Sequence, residues 1–229
     1  MKKKIKYLAV IPARKNSKRI INKNLIKINK KELIKFTIEA ARKTKKIQEI
    51  ILTSDDAKIL NIAKKSKIIA FKRPKRISRD SSTTEQAIRH VYVNYCKKKS
   101  LKVENIILLQ PTSPLRNSKH INECINLFEK KKYNSIFSGY NKKEFIWKNK
   151  KNKLYSLNYN YKKRKQSQKM SKLIFENGAI YIFQTKGFLN CNNRLFGKIG
   201  VYNMEKMYSI DIDEMKDVKL VEKIFRYRL

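Results

Sequence analysis

The sequence predicts an α/β fold in which a mostly parallel sheet is flanked by helices. Two observations lead to this prediction. Short apolar runs alternate with stretches of helical periodicity over residues 1–140, and such alternation is typical of βαβ units. In addition, the loops that follow the apolar runs carry clusters of polar residues, and open α/β sheets bind their ligands at the carboxyl ends of strands.

The individual elements follow from the spacing of apolar residues. Apolar runs of strand length cover residues 5–11, 49–53, 68–71, 105–109, 135–137 and 179–183. Helical patterns cover residues 32–44, 57–65, 84–95, 118–128 and 215–226. Ser54 or Asp55 is expected to cap the second helix and Thr83 or Thr84 the third, because these side chains accept hydrogen bonds from free backbone N–H groups. Together the elements describe a Rossmann-like arrangement.

Residues 141–175 break this pattern. The stretch is basic, rich in Asn and Tyr, and without helical periodicity. Two interpretations are open from the residues alone, a small excursion of β-hairpins or a disordered insertion. The fold prediction is a small β-rich excursion within a single domain that spans residues 1–229.

The charge of the chain is extreme. It has 57 Lys and Arg residues against 18 Asp and Glu residues, a net charge of +39. Such an excess indicates a polyanionic partner such as nucleic acid, but the lysines are spread over the whole length instead of forming one basic face. Residue types with AT-rich codons are also abundant, while Gly and Pro are scarce. We therefore expect compositional bias and no nucleic-acid partner, and keep a non-catalytic polyanion-binding protein as a remote alternative.

The remaining composition excludes several kinds of site. Cys96, Cys124 and Cys191 are far apart and lack a C-x-x-C spacing, which argues for reduced thiols and against disulfides or zinc. His90 and His120 lie in predicted helices and are expected as surface or core residues. No segment approaches the roughly 20 apolar residues that a membrane span needs, and the basic start of the chain lacks the cleavage site of a signal peptide. We expect a cytoplasmic protein without a membrane partner.

The first polar cluster is the loop at residues 11–24, which follows the first predicted strand. It offers hydroxyl, amide and cationic side chains in one short stretch: Arg14, Lys15, Ser17, Lys18, Arg19, Lys23 and Asn24. Fixed cations and hydroxyls at the end of a first strand suit a phosphate chain. The alternative is a solvated basic loop, which is what most charge runs are.

Two further clusters follow later strands. Arg73-Pro74 follows the third strand, and residues 80–84 (Asp-Ser-Ser-Thr-Thr) lead into a helix. Free backbone N–H groups there bind anions or base edges, unless the hydroxyls serve only as a cap. Residues 110–116 (Gln-Pro-Thr-Ser-Pro-Leu-Arg) follow the fourth strand. Two prolines stiffen this turn, which makes it either a sugar-binding ledge or a structural turn.

Asp211 and Asp213 form the last cluster. Alternation in an extended segment places both carboxylates on the same side. They repel each other unless a cation lies between them, and oxygen ligands suit Mg²⁺ that also binds substrate phosphates. The alternative is capping of the helix at 215–226. The sequence has no G-x-x-x-x-G-K-[ST] P-loop, so the clusters together indicate a different kind of enzyme that handles a nucleoside triphosphate.

Six motifs in this order make the sequence resemble the acylneuraminate cytidylyltransferases, the CMP-sialic acid synthetases. They are Ile-Pro-Ala-Arg-x-x-Ser-Lys-x-x-x-x-Lys-Asn (11–24), Ser-Asp (54–55), Arg-Pro (73–74), Leu-Gln-Pro-Thr-Ser-Pro-Leu-Arg (109–116), Asn-Gly-Ala-Ile-Tyr-Ile (177–182) and Asp-Ile-Asp (211–213). The resemblance implies transfer of CMP from CTP to a nine-carbon 2-keto sugar acid similar to N-acetylneuraminate, with release of pyrophosphate. Relatives that act on legionaminic, pseudaminic or Kdo acid share much of this scaffold and remain alternatives.

The resemblance also implies the roles of individual residues. The implied catalytic residues are Arg14, Lys23, Asp211 and Asp213, of which the two aspartates are the implied Mg²⁺ ligands. The implied nucleotide-binding residues are Arg14, Ser17, Lys23, Asn24, Arg73 and Thr84. The implied sugar-binding residues are Gln110, Lys148, Arg164, Asn177 and Tyr181. The family further implies a homodimer, in which the excursion at 141–175 serves dimerisation or covers the partner's site as a lid.

The chain departs from the family pattern at two places. Members often carry Gly-Gly-Ser-Lys-Gly in the first loop, where this chain has Lys-Asn-Ser-Lys-Arg at residues 15–19. A left-handed backbone conformation would cost Arg19 more than it costs Gly. Phe175-Glu176 precedes Asn177-Gly178, where sialic acid enzymes often have Arg-Pro, so we expect different contacts to the substituents of the sugar.

Overall fold

The computed structural model describes residues 3–15, 17–164 and 166–227. Its strands in chain order are β1 (Lys4–Pro12), β2 (Lys27–Ile28), β3 (Lys31–Glu32), β4 (Glu49–Ser54), β5 (Ile69–Lys72), β6 (Lys102–Leu109), β7 (Ser135–Lys142), β8 (Trp147–Lys150), β9 (Lys153–Ser156), β10 (Leu173–Gln184) and β11 (Ile199–Asn203). Its α-helices are α1 (Leu33–Arg42), α2 (Ala57–Lys65), α3 (Thr84–Val91), α4 (Ser118–Lys131), α5 (Thr185–Cys191) and α6 (Met215–Arg226). Within the described ranges, no helix is long and apolar enough to cross a membrane.

Seven strands form the central sheet, in the spatial order β11-β7-β10-β6-β1-β4-β5. Strands β6, β1, β4 and β5 run parallel, β7 and β11 are parallel to each other, and β10 runs antiparallel between β6 and β7. The predicted α/β fold with a mostly parallel sheet is therefore confirmed. The chain extends from β1 to β4 and β5 on one side and returns to β6 on the other side. Such a reversal of strand order opens a crevice at the carboxyl ends of the strands.

Apolar side chains on both faces of the sheet pack against helices. In β1, Ala9 and Ile11 belong to the layer with α1, α2 and α4, whereas Leu8 and Val10 belong to the layer with α3 and α5. Burial on both faces favours an unbroken apolar run, which explains residues 7–11 of β1. A third, smaller cluster contains Ile212 and packs α6 beside β2. This third cluster fixes the C-terminal segment near the crevice.

The predicted elements occur at their expected places, with two kinds of difference. The cap of α2 is Asp56, whose side chain accepts a hydrogen bond from the N–H of Lys58, so the prediction of Ser54 or Asp55 is wrong. Thr83, one of the two predicted caps of α3, does cap that helix. The elements α5, β11 and the β2–β3 ribbon were not predicted, because they are too short to show a clear period.

The excursion is shorter than the predicted 141–175, because β7 and β10 extend into that range. Between them, β8 and β9 pair as an antiparallel hairpin, which supports the β-hairpin interpretation. Several large apolar side chains of this hairpin and its flank are exposed, namely Trp147, Leu154, Tyr155 and Leu157. The excursion therefore presents apolar surface that the described part of the chain does not cover.

Candidate active site

The crevice collects the ends of four parallel strands. Because β1, β4, β5 and β6 run the same way, the loops that follow them meet at one edge of the sheet. These loops contribute Arg14, Asp55, Arg73 and Gln110. Strand β10 runs the opposite way, so Asn177, near its start, reaches the same edge. Parallel pairing thus brings together residues that lie far apart in the sequence.

A cleft of about 310 Å³, called here the first cleft, opens at this edge. All six residues predicted to bind a nucleotide line it: Arg14, Ser17, Lys23, Asn24, Arg73 and Thr84. Asp80 and Gln110 line it as well. Three cationic side chains and the N-terminus of α3 therefore face one volume, which suits an anionic ligand.

The loop after β1 is held by one hydrogen bond within the loop and one from the Ser-Asp motif at residues 54–55. The Asn24 amide donates to the carbonyl of Arg14 at 2.9 Å, and the backbone N–H of Lys15 donates to the Asp55 carboxylate at 2.9 Å. Where the described backbone of this loop turns left-handed, it does so at Asn22, with φ 52°, and not at Arg19. Asn tolerates this conformation well, so the expected strain at Arg19 does not arise. Asn16 lies outside the described residues.

Two arginines of the first cleft have different surroundings. Arg14 forms an ion pair with Asp80, which lines the same cleft. Arg73 is buried and its Nε donates to the Ser78 hydroxyl at 3.0 Å. Burial lowers the pKa of Arg73, and the described residues form no ion pair with it. The nearby charge of Asp55 acts on this pKa in the opposite direction but is outweighed by burial. An anionic ligand would therefore stabilise the buried Arg73 cation.

Asp211 and Asp213 lie on either side of Ile212, which is fully buried. The N–H of Ile212 donates to the carbonyl of Thr112 at 2.8 Å, and the Ser113 hydroxyl donates to the Asp211 carboxylate at 3.4 Å. These bonds join the aspartate segment to the turn that follows β6. The buried isoleucine and the extended backbone together orient both carboxylates away from the core.

Lys23 places its ammonium group against this segment. Its Nζ lies 3.0 Å from the Asp213 carboxylate and 2.5 Å from the Ile212 carbonyl, and Arg19 approaches Asp213 to 2.8 Å. The hydrogen bond from Lys23 lowers the pKa of Asp213, whereas burial raises the pKa of Asp211. Asp213 is therefore held in its ionised form, which a metal ligand requires.

The aspartate pair is a partial ligand set for Mg²⁺. The described residues contain no group of three or more His, Cys, Asp and Glu side chains that could hold a metal ion. However, Mg²⁺ is usually bound by one or two carboxylates together with waters and substrate phosphates. Asp211 and Asp213 supply such oxygens beside Lys23, which lines the first cleft. These residues therefore fit Mg²⁺ when a phosphate ligand is also present.

A second cavity of about 390 Å³ lies on the other side of Gln110. Its lining residues are Tyr140, Glu176, Asn177, Gly178, Tyr181, Ser209 and Asp211, which include two residues predicted to bind a sugar and one predicted metal ligand. Gln110 lines the first cleft and packs against Gly178, since a Cβ built on that glycine would lie 2.7 Å from the Gln110 side-chain oxygen. Gln110 therefore separates the two volumes.

Both the oxygen and the nitrogen of the Asn177 side-chain amide form hydrogen bonds within the protein. Its oxygen accepts hydrogen bonds from the Ser138 hydroxyl at 2.6 Å and the Ala179 N–H at 3.1 Å. Its nitrogen donates to Ser209 Oγ at 2.8 Å and to Met204 Sδ at 3.4 Å. Asn177 therefore shapes the second cavity, while its prediction as a direct sugar contact stays a prediction.

The structure does not bring Lys148 and Arg164 to either cavity. Both are exposed and belong to the excursion, and the Arg164 guanidinium lies 4.1 Å from the centre of the Phe145 ring. Within one chain these two predicted sugar-binding residues are thus separated from Asn177 and Tyr181.

Sequence reasoning missed two arginines that support the site. Arg116 is buried and donates to the carbonyls of Gln110 at 3.3 Å and Ala179 at 3.1 Å, so it joins the turn after β6 to β10. Arg194 pairs with Glu85 in the first turn of α3. Arg116 ends a recognisable motif and could have been singled out, whereas Arg194 lies in a loop without any local signal.

Comparison with known proteins identifies the family. The sequence profile of the cytidylyltransferases matches residues 8–228. The chain belongs to the cytidylyltransferase family. An N-acylneuraminate cytidylyltransferase of Escherichia coli O18:K1:H7 is 31% identical over 94% of this chain, which spans about half (51%) of that relative. A pseudaminic acid cytidylyltransferase of Campylobacter jejuni (serotype O:23/36) is 27% identical over 97% of this chain and 97% of its own length.

Solved cytidylyltransferase structures share the fold. The structure of a CMP:2-keto-3-deoxy-manno-octonic acid synthetase complexed with CTP superimposes with a TM-score of 0.72, at 14% identity, over 98% of this chain and 100% of that one. A cytidylyltransferase from Leptospira borgpetersenii gives a TM-score of 0.64 over 98% of this chain and 88% of its own. The predicted Rossmann-like fold is therefore confirmed for this cytidylyltransferase.

Proposed function

We propose that this cytidylyltransferase joins CMP from CTP to a nine-carbon 2-keto sugar acid and releases pyrophosphate. The observation that carries the proposal is the arrangement of two adjoining volumes. The first cleft collects the six predicted nucleotide-binding residues, and the second cavity contains Asn177, Tyr181 and Asp211. The Escherichia coli relative named for N-acylneuraminate supports a substrate of this class.

The relative named for pseudaminic acid supports a second candidate substrate. It is 27% identical to this chain over 97% of its length, close to the 31% of the N-acylneuraminate relative. Glu176 also departs from the Arg-Pro that sialic acid enzymes often carry before Asn-Gly. Pseudaminic acid is therefore the main alternative to an N-acetylneuraminate-like acid.

In the proposed reaction, the anomeric hydroxyl of the sugar attacks the α-phosphorus of CTP in line. The new O–P bond forms and the hydroxyl releases its proton to solvent, while the bond between the α-phosphorus and the oxygen that bridges it to the β-phosphorus breaks, so pyrophosphate leaves. Arg14 and Lys23 stabilise the charge that develops on the phosphate oxygens, because fixed cations in a cleft need little reorganisation. Asn24 holds the backbone of Arg14 and thereby aligns this cation. Arg73 and the N-terminus of α3 bind the nucleotide.

We propose Asp211 and Asp213 as the residues that hold Mg²⁺ together with the triphosphate. When bound, the ion neutralises the phosphate chain and lowers the pKa of the sugar hydroxyl. Asp213 keeps its negative charge to a lower pH than an ordinary aspartate, because the hydrogen bond from Lys23 lowers its pKa. Lys23 is held between this segment and the first cleft, where it can contact a phosphate oxygen.

We also propose a homodimer. The second cavity has no Lys or Arg among its described lining residues, although a sugar acid brings a carboxylate that needs a cationic partner. Arg164 and Lys148 are exposed on the excursion, next to uncovered apolar side chains. A second chain that contributes its excursion would supply both the missing cation and a cover for Trp147 and Leu154. Light scattering combined with gel filtration tests the dimer.

The site in such a dimer can be tested by complementation. In this dimer, each active site combines the cleft and cavity of one chain with the excursion of the other, and is called here the composite site. Asp213→Asn damages the first contribution and Arg164→Ala the second. When the two inactive variants are mixed under conditions that allow subunit exchange, we expect up to about one quarter of wild-type activity to return, since half of the dimers are mixed and each restores one site of two. A mixture that stays inactive while exchange is demonstrated would contradict the composite site.

The substrate is tested by pyrophosphate release. Purified protein is supplied with CTP, Mg²⁺ and, in turn, N-acetylneuraminate, legionaminate, pseudaminate and Kdo. We expect release with at least one nine-carbon acid and formation of the matching CMP-sugar. Absence of release with every acid would sink the proposed function. We assign the enzyme to the cytoplasm, because its reaction consumes CTP.

A further inference from the structure

The second cavity contains a pair of hydrogen-bond acceptors. The Tyr181 hydroxyl donates to Glu176 Oε1, so its only proton is committed to the carboxylate. The acceptors that remain for a ligand are the second carboxylate oxygen of Glu176 and the unused lone pairs of the Glu176 carboxylate and the Tyr181 hydroxyl. Tyr181 is almost fully buried, while Glu176 is exposed. The carboxylate is therefore the part of the pair that a ligand reaches first.

Glu176 is a carboxylate without a cationic partner among the residues that the structure describes. Among the described residues it forms no ion pair, even though the chain has 57 Lys and Arg residues against 18 acidic ones. Asp80, Glu85 and Asp213 elsewhere at the site are all paired. In so basic a protein, an unpaired carboxylate in a substrate cavity keeps an acceptor available to an incoming group.

Among the described lining residues, Tyr140 brings a hydroxyl that can donate or accept, and the other side-chain donors are used within the protein. Both N–H groups of Asn177 are used within the protein, and the Ser209 hydroxyl donates to the Glu205 carbonyl at 3.0 Å. Asp211 adds a further carboxylate to the lining. The acceptors therefore outnumber the free donors, and a ligand group next to Glu176 is bound best if it brings its own hydrogen-bond donor.

Arg194 holds the acceptor pair in place. Its guanidinium lies 4.9 Å from the centre of the Tyr181 ring, and its Nε donates to Glu85 Oε1 at 2.7 Å. Both charged side chains are largely shielded from solvent, at 21% and 15% exposure. A cation stacked on the ring and anchored to α3 limits the movement of Tyr181 and thus of its hydroxyl.

We propose that Glu176 is the specificity-determining residue for the sugar substituent. It accepts a hydrogen bond from an N–H or O–H group of that substituent, and Tyr181 and Arg194 act as positioning residues. The substrate class that follows is a sugar acid with an acylamino or hydroxyl substituent, and a second acidic substituent is rejected by the unpaired carboxylate. This inference rests on the proposed function, because it assigns the second cavity to the sugar.

The proposal is tested by a thermodynamic cycle in which one change is made in the substrate and the other in Glu176. The sugar acid with the highest kcat/KM is compared with analogues in which one donor at a time is methylated on oxygen or nitrogen. For one analogue, we expect the wild type to lose about 10- to 100-fold in kcat/KM, the range of a hydrogen bond to a charged group. Glu176→Ala should lose no more than about threefold on the same methylation, because the acceptor is already gone.

Two controls make the outcome decisive. Glu104→Ala, which removes a carboxylate paired with Lys4 at the opposite end of the sheet, should discriminate as the wild type does. If Glu176→Ala does not fold, Glu176→Gln replaces it, and its discrimination should fall at least about threefold because a neutral acceptor binds a donor less strongly.

The result that overturns the inference is equal loss in wild type and Glu176 variant for every analogue. This failure is distinct from failure of the proposed function, in which the wild type itself releases no pyrophosphate with any sugar acid.

Discussion

The ammonium group of Lys23 lies 3.0 Å from the carboxylate of Asp213, across 190 positions of sequence. The contact joins the first loop of the chain to its last extended segment. It also connects the first cleft, which Lys23 lines, with the proposed Mg²⁺ ligands. The ammonium group of this one buried lysine can therefore interact with a nucleotide in the first cleft and with the carboxylate of Asp213.

Replacement of Lys23 should change the acid stability of the protein. Lys23 lowers the folded-state pKa of Asp213 below 3.8, so the associated stabilisation is present above that pH and is lost as the pH falls through the lower folded value. In Lys23→Met this loss should be smaller, since the donor is absent. Urea unfolding from about pH 5 down to pH 2 measures it. Lys18→Met, which removes an exposed lysine paired with Asp80, should keep the wild-type profile.

Lys23→Met should also lower kcat/KM for CTP by at least about 100-fold, as expected when a group that stabilises developing phosphate charge is removed. The Lys18 variant should change it by less than about threefold, because exposed pairs contribute little. Similar kinetics in the two variants would contradict the catalytic role of Lys23.

The two aspartates should respond differently when each is replaced by asparagine. Asp213 is half-exposed, so Asp213→Asn should abolish turnover, with at least about a 100-fold loss of kcat, and preserve the fold. Circular dichroism and thermal unfolding check the fold. An unfolded variant, or one with near-normal activity, would count against the metal assignment.

Asp211→Asn should be inactive yet more stable at neutral pH. Burial raises the folded-state pKa of Asp211, so the free energy of unfolding is lower above that pKa than below the unfolded value of 3.8. A neutral amide removes this cost and can still accept from Ser113. We expect the midpoint of thermal unfolding to rise by about 2–4 °C, which corresponds to ~1 kcal/mol for a domain of this length. An unchanged or lower midpoint would contradict the cost assigned to Asp211.

Gly178→Ala should damage the boundary between the two volumes. Gly178 has φ +73°, and an added Cβ would lie 2.7 Å from the Gln110 side-chain oxygen. We expect a loss of about 1–2 kcal/mol of stability from the backbone and at least about a 10-fold rise in KM for the sugar acid as Gln110 is displaced.

Gly197→Ala is the matched control, because Gly197 also has a left-handed backbone, with φ +60°, and its Cβ would meet Asn134 instead. It should lose comparable stability and retain the wild-type KM. If both variants raise KM equally, the effect comes from general destabilisation.

The Glu85–Arg194 pair should affect the sugar acid more than CTP. Arg194→Met frees the Tyr181 ring, so KM for the sugar acid should rise about 5- to 20-fold, while KM for CTP changes by less than about twofold. The double variant Glu85→Gln, Arg194→Met should be no worse than Arg194→Met alone, because the two residues act as one unit. Lys119→Met in the exposed pair with Glu123 is the control. Equal effects on both KM values would exclude a role limited to the second cavity.

Much of the fold was predictable because the core elements are long and strongly periodic. Residues 7–11 of β1 are an unbroken apolar run that is buried on both faces, and α4 repeats its apolar residues on one face. The cap of α2 lies one position after Asp55 and two after Ser54, the two predicted caps, because Ser54, Asp55 and Asp56 are all capable caps and only the backbone path selects among them. The hydrogen bond of the Asp56 N–H to Ser54 Oγ at 3.0 Å occupies the competing serine.

The amino-acid sequence by itself determined which chemical groups the site has: cations and hydroxyls after β1, a stiff polar turn after β6, and two carboxylates before α6. These follow from residue type and local spacing. Other relations were decided only by the tertiary structure. The amide of Asn177 forms its hydrogen bonds within the protein. Lys148 and Arg164 lie away from both cavities, and Arg194 stacks on Tyr181. Such relations depend on strand order and on loops that pack over long sequence separations, and no local pattern encodes them.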